Sequence, residues 1–175
     1  MKKTNWEFWI GNLVVVLSTV LGVYLAANAA LETAIQYESI KADRDNYYLR
    51  TSLLNEVKGN VVALEKIVEN LNNGYRYRKS DSAAPHPQFF VWEALKASPT
   101  ALTTPPQILS GLNLFYSNTR NILDKVSAKK DFSMSSSARE VEKQLELLRA
   151  GALPALEKNL EGLYAELVEH EIPLE

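Results

Sequence analysis

The sequence predicts an all-α protein: an N-terminal transmembrane helix continuous with a long stalk helix, then segments that pack as an antiparallel three- to four-helix bundle. Three observations carry that expectation. Residues 8–31, FWIGNLVVVLSTVLGVYLAANAAL, hold no charged side chain, and a bilayer crossing needs about 20 mainly apolar residues. Farther on, apolar residues recur at steps of three and four, with no convincing strand alternation. Ser, Thr, Pro and Gly stand where such helices would begin and end.

The first element is expected to be very long. Trp6, Phe8 and Trp9 gather where an aromatic belt would meet lipid headgroups. Between Val23 and Lys58 there is neither Gly nor Pro, so nothing breaks a helix on its way out of the apolar stretch. Leu54, Val57, Val61, Leu64, Val68 and Leu71 then form an a/d seam. Carried backward, that register puts Asp43 and Arg50 at d, which disfavours a strict long coiled coil. Asn72-Asn73-Gly74 supplies the stop, because Gly and Asn adopt the left-handed cap conformation cheaply. From residue 31 to about 72, a rise of ~1.5 Å per residue would project the stalk some ~60 Å.

Shorter elements follow. Ser80 to Pro87 reads as a polar, proline-rich connection. A short helix is expected over residues 88–97, apolar nearly all round and therefore buried across the bundle. Ser98 to Thr104 reads as a loop, closed by a cap at Thr104, Pro105 in the first helical position and Gln107 completing a capping box. The helix over 105–128 presents Ile108, Leu112, Phe115, Thr119, Ile122 and Val126 on one face, with Lys125, Lys129 and Lys130 suiting its C-terminal dipole. After a serine-rich turn from Asp131 to Ser136, Ser137 and Glu140 suggest a second capping box for a helix over 137–170. Gly151 and Pro154 should kink that helix or break it, with a restart at Pro154. The domains are thus residues 1–31, tail and anchor, and residues 32–175, the helical bundle.

Composition removes several function classes. The 175 residues contain no cysteine, which excludes disulfides, thiolate metal ligands and cysteine nucleophiles. A net charge of −2 with both signs mixed offers no basic face for nucleic acid. His86 lies between prolines in a loop, and His170 shares a face only with Glu166, too few ligands for a metal. The serines lack a strand–elbow–helix context, and the glycines never cluster as a phosphate-cradling loop. No catalytic, metal or cofactor site is therefore expected, and the chain is read as no enzyme.

Two features point to contacts instead. Ser18, Gly22, Ala26 and Ala30 recur every fourth position and would line one face of the anchor with small residues that let another helix approach. Tyr75, Arg76, Tyr77 and Arg78 alternate aromatic and basic character at the far end of the stalk, where they could touch a partner or simply finish the helix. Lys2 and Lys3 are the cations nearest the apolar stretch, so the N-terminus is expected on the cytoplasmic side of the cell's inner membrane and the domain outside. A competing reading makes the same stretch a signal peptide cut after Ala27-Asn28-Ala29.

The run Trp6-Glu7-Phe8-Trp9-Ile10 through Gly22-Val23-Tyr24-Leu25-Ala26, with Val91-Trp92-Glu93-Ala94-Leu95 and Leu114-Phe115-Tyr116, resembles uncharacterised bacterial single-pass membrane proteins. In these an anchor helix leads into a small helical domain. The resemblance implies architecture and no activity. The expected role is that of an accessory, assembly or scaffold subunit, in contact with the lipid bilayer and with a membrane protein partner or further copies of itself. A ligand-sensing bundle, with a polar cavity near Trp92, Tyr116 and Arg120, is the alternative.

Overall fold

A computed structural model describes residues 4–81, 84–128 and 133–170. All regular structure among them is helical: α1 (Thr4–Asn72), α2 (Phe90–Ala97), α3 (Thr100–Thr103), α4 (Pro106–Ala128), α5 (Met134–Ala150) and α6 (Ala152–Glu169). The chain divides into two compact units between Ala42 and Asp43, so α1 contributes to both. Lys2, Lys3, Lys129, Lys130 and Asp131 lie outside the described residues.

In the first unit the helix is solvent-accessible along its apolar length, and residues 6–39 are all exposed. The second unit has a core. There α4, α5 and α6 pack on one another pairwise and α2 packs on α3. Leu53, Val57, Leu64, Ile67 and Leu71 of α1 join the same apolar cluster as Leu112, Phe115, Val141, Leu145 and Leu156.

The buried face of α1 differs from the expected seam. It runs through Asn46, Arg50, Leu53, Val57, Asn60, Leu64, Ile67 and Leu71, steps of four and three, with Val68 beside it. Leu54 and Val61 are only half buried. Polar residues at three positions of the true stripe hid it from an apolar count, and Arg50, read as an interruption, is among the most deeply buried side chains.

Several boundaries shift for local reasons. The short helix begins at Phe90, not at 88, because Asn60 holds the backbone of Gln88 from both sides: its Nδ2 donates to the carbonyl and its Oδ1 accepts from the N–H, each at 2.6 Å. It is also not buried all round, since Trp92 and Leu95 face the core while Phe90 is exposed. Within the expected loop, one turn of helix forms as α3, started by the Thr100 N–H donating to Ser98 Oγ. The Thr104 hydroxyl does not cap α4. It donates back to the Thr100 carbonyl at 2.8 Å and finishes α3, while the Pro105 carbonyl takes the first N–H groups of α4, from Ile108 and Leu109.

The cap of α5 also lies earlier than expected. Ser133 Oγ accepts from the Ser136 N–H, and the Ser137 hydroxyl is buried and donates to the Ser133 carbonyl. Four residues of the supposed turn thus become cap and first turn. The kinked helix resolves into two: Gly151 leaves the helical region at φ −131°, ψ −85°, and α6 restarts at Ala152. Pro154 is then its third residue, where a missing N–H costs nothing. Close packing at this break depends on Gly111, since a Cβ there would stand 2.7 Å from the Ala152 Cβ.

Candidate functional site

The residues singled out in the sequence fall in separate places. In the first unit Ser18, Gly22, Ala26 and Ala30 are exposed, and a Cβ on Gly22 would meet no neighbouring atom. Two threonine hydroxyls in this stretch bond back to the helix itself. Thr19 donates to the Val15 carbonyl at 2.8 Å and Thr33 to the Ala29 carbonyl at 2.9 Å, so neither presents an unsatisfied donor to its surroundings. This helix, near the N-terminus, is long and apolar enough to cross a membrane, and none of its apolar window is buried. An uncleaved anchor and a signal sequence share those properties.

The tyrosine–arginine cluster is split by the fold. Gly74, at φ 82°, adopts the left-handed conformation that ends α1, and the chain turns back along the second unit. Tyr75 and Arg78 face outward, whereas Arg76 is half buried with its Nε donating to the Val126 carbonyl near the end of α4. Tyr77 is 7% exposed. Its hydroxyl lies 3.0 Å from His86 Nδ1, and His86 Nε2 lies 2.7 Å from the Asp81 carbonyl oxygen. A carbonyl only accepts, so Nε2 carries a proton, and in the neutral ring Nδ1 accepts from the Tyr77 hydroxyl. Burial, helped by the charge of Asp124, pushes the Tyr77 phenol above its ordinary range. Next to it, Lys79 pairs with Asp124 at 3.0 Å.

A second cluster centres on Glu56. One carboxylate oxygen accepts the Val91 N–H at 2.6 Å, and the other accepts the Trp92 N–H at 3.1 Å and the Tyr116 hydroxyl at 2.7 Å. The carboxylate thus caps α2 from α1, where negative charge is favourable at a helix start. It also fixes Tyr116, which stacks on Trp92 with centroids 5.2 Å apart and planes 9° from parallel. The Tyr116 phenol is pushed up by burial first and by the Glu56 carboxylate second. Beside this stack lies a polar cleft of about 370 Å³ that includes Trp92, Tyr116 and Arg120 in its lining. Its charges are mutually committed: Glu93 pairs with Lys96 at 2.7 Å and with Arg120 at 3.1 Å. The hydrogen bonds from Lys96 and then Arg120 hold the Glu93 carboxyl below its usual range. Arg120 also lies over the Phe89 ring.

A third cluster has no signature in the sequence. Arg50 is 2% exposed, its guanidinium donating to Asn159 Oδ1 at 2.7 Å and Thr103 Oγ1 at 3.3 Å, while Thr103 donates to Asn46 Oδ1 at 3.0 Å. Burial lowers its pKa, against a smaller opposing effect of Asp43. The Nε group has no partner. Neutral acceptors from α3 and α6 therefore carry the buried charge, with Asn46 of α1 accepting in turn from Thr103. Among the described residues no group of His, Asp and Glu is arranged to hold a metal ion, and His170 is exposed at the end of α6.

One surface is marked by its composition alone. From Ala97 to Thr119 the chain holds no charged residue, and α4 carries this run across its outer side. A groove there, about 450 Å³ and mainly apolar, lies between α4 and the α5–α6 junction. Comparison of the chain with family models, with curated proteins and with solved structures finds no match.

Proposed function

We propose that the chain is a non-enzymatic single-pass membrane protein whose helical domain acts through protein–protein contacts, as an accessory, assembly or scaffold subunit. The observation that carries this reading is the helix over residues 8–31, uncharged and exposed along its whole length. So much apolar surface has no place in water, and lipid is the environment that removes its cost. Inward-bonded Thr19 and Thr33 suit that environment. The helix runs from the membrane into the domain as one stalk, and the domain follows as a bundle of antiparallel helices. Ser18, Gly22, Ala26 and Ala30 form the packing face within the bilayer. Exposed Tyr75 and Arg78, with Arg76 and Tyr77 fixing the turn beneath them, are available to a partner of the domain. Lys2 and Lys3 place the N-terminus in the cytoplasm and the domain on the other side of the inner membrane.

Gentle detergent extraction of the full chain, with identification of what co-purifies, tests the role. The expected result is a stoichiometric complex, with a membrane protein or with further copies, that weakens when Gly22→Leu and Ala26→Leu are combined. Elution as a lone monomer, unaffected by those changes, contradicts it.

A further inference from the structure

We infer that the groove along the α2 side of α4 is a binding site for a neutral, hydroxyl-rich ligand, a linear oligosaccharide. The site lies wholly in the second unit and does not depend on whether the apolar helix crosses a membrane.

The polar cleft beside the Trp92–Tyr116 stack is one lobe of a longer groove. A second lobe, of about 570 Å³, shares Arg120 and Asp124 with it and continues past Phe89 toward Tyr77 and His86. All nine residues lining the first lobe carry a side chain able to hydrogen-bond, and none is aliphatic. Its formal charges cancel, Glu93 and Asp124 against Lys96 and Arg120.

That lining is selective. An apolar ligand finds no aliphatic wall. A charged one would have to displace an existing pair, because Glu93 already holds Lys96 and Arg120, and Asp124 holds Lys79. A ligand whose hydroxyls both donate and accept needs no such exchange. The paired carboxylates keep free lone pairs, and Arg120 keeps N–H groups beyond the one it gives to Glu93. An extended peptide would seek pockets for its alternate side chains, and this lobe has no apolar ones to offer.

The α4 wall supplies contacts not yet in use. Asn113, Ser117 and Asn121 recur at every fourth residue, all exposed, and among the described residues none is hydrogen-bonded through its side chain. Amide and hydroxyl side chains each donate and accept, as sugar hydroxyls do. From first to last the row covers ~12 Å of helix, which suits linked rings better than a single one. The facing wall is preformed: Glu56 fixes Tyr116 against Trp92, and Arg120 is held between Glu93 and the Phe89 ring. Pre-organisation of this kind lowers the ordering cost for a ligand that gains nothing from long-range charge attraction.

Trp92 lines the first lobe, and the other two tryptophans, Trp6 and Trp9, lie in the first unit. Trp6→Phe with Trp9→Phe therefore leaves Trp92 as the sole tryptophan reporter in the full chain, kept in a polyoxyethylene detergent that carries no sugar. Cellotriose, maltotriose and N-acetylated chitotriose serve as neutral probes, inorganic phosphate and trialanine as charged ones, with calorimetry as a second readout. At least one trisaccharide should bind saturably, with an affinity unchanged between about 50 and about 500 mM salt. Asn113→Ala and Asn121→Ala should each weaken that binding about tenfold and leave the thermal melt in place, since neither side chain has a partner to lose. No heat and no change in emission with any of the three sugars, binding of phosphate or trialanine alone, or a sugar affinity indifferent to both asparagines overturns the inference.

Discussion

Arg50 is the residue where burial and charge conflict most openly. A guanidinium deprived of water needs a carboxylate or a full set of acceptors, and here it finds Asn159, Thr103 and one unpartnered Nε. The groups it would leave behind are not sealed off, because Thr103 is exposed and Asn159 half buried. Arg50→Met should therefore stabilise the domain by about 1–2 kcal/mol, keeping the volume while removing the desolvated charge. Arg50→Ala should instead lose stability through the cavity it opens. Thermal or urea unfolding distinguishes the two, and a methionine variant less stable than the parent would mean the neutral acceptors fully compensate the charge. Tyr77 and Tyr116 make a pH prediction. Both phenols have folded-state pKa values raised above the ordinary value of 10.0, so the folded chain binds their protons more tightly than the unfolded chain. Their contribution is fully present below about pH 10 and is lost as pH rises beyond it. Stability should fall with rising pH above 10, and Tyr116→Phe should flatten that slope; an unchanged slope would remove Tyr116 from the account.

At the scale of elements, α1 acts as a clamp as well as a core helix. Glu56 and Asn60, one turn apart, take the backbone of Gln88, Val91 and Trp92 and so set where α2 starts. Glu56→Ala leaves two N–H groups and the Tyr116 hydroxyl without their acceptor, a loss of about 2–4 kcal/mol. Glu56→Gln, retaining one acceptor oxygen, should cost less, and urea unfolding of both variants checks the order. Much of this level could be read from sequence. The stripe Ile108, Leu112, Phe115, Thr119, Ile122 and Val126 is buried as its spacing implies, and the Asn72-Asn73-Gly74 stop and the break at Gly151 stand where they were expected. The α1 stripe was harder, because Asn46, Arg50 and Asn60 occupy core positions through partners far along the chain. Thr104 and Ser137 misled for a related reason: a hydroxyl can cap forward or bond backward, and neighbouring backbone geometry decides which. Of the candidate contact residues, Tyr77 and Arg76 could not be assigned from sequence, since His86 and Val126 meet them only in the fold.

For the molecule as a whole, the proposed function rests on surfaces. The polar clusters of the second unit hold elements in place: Glu56 for α2, His86 for the turn after α1, Glu93 for the rim of the cleft. The uncommitted apolar surface is residues 8–31 in one unit and the α4–α5 groove in the other. The most direct test is the intact mass of the native protein recovered from carbonate-washed membranes. An uncleaved chain of 19.6 kDa in the membrane pellet is the result this account predicts. A shorter species beginning after Ala29, found in the soluble fraction, would contradict it.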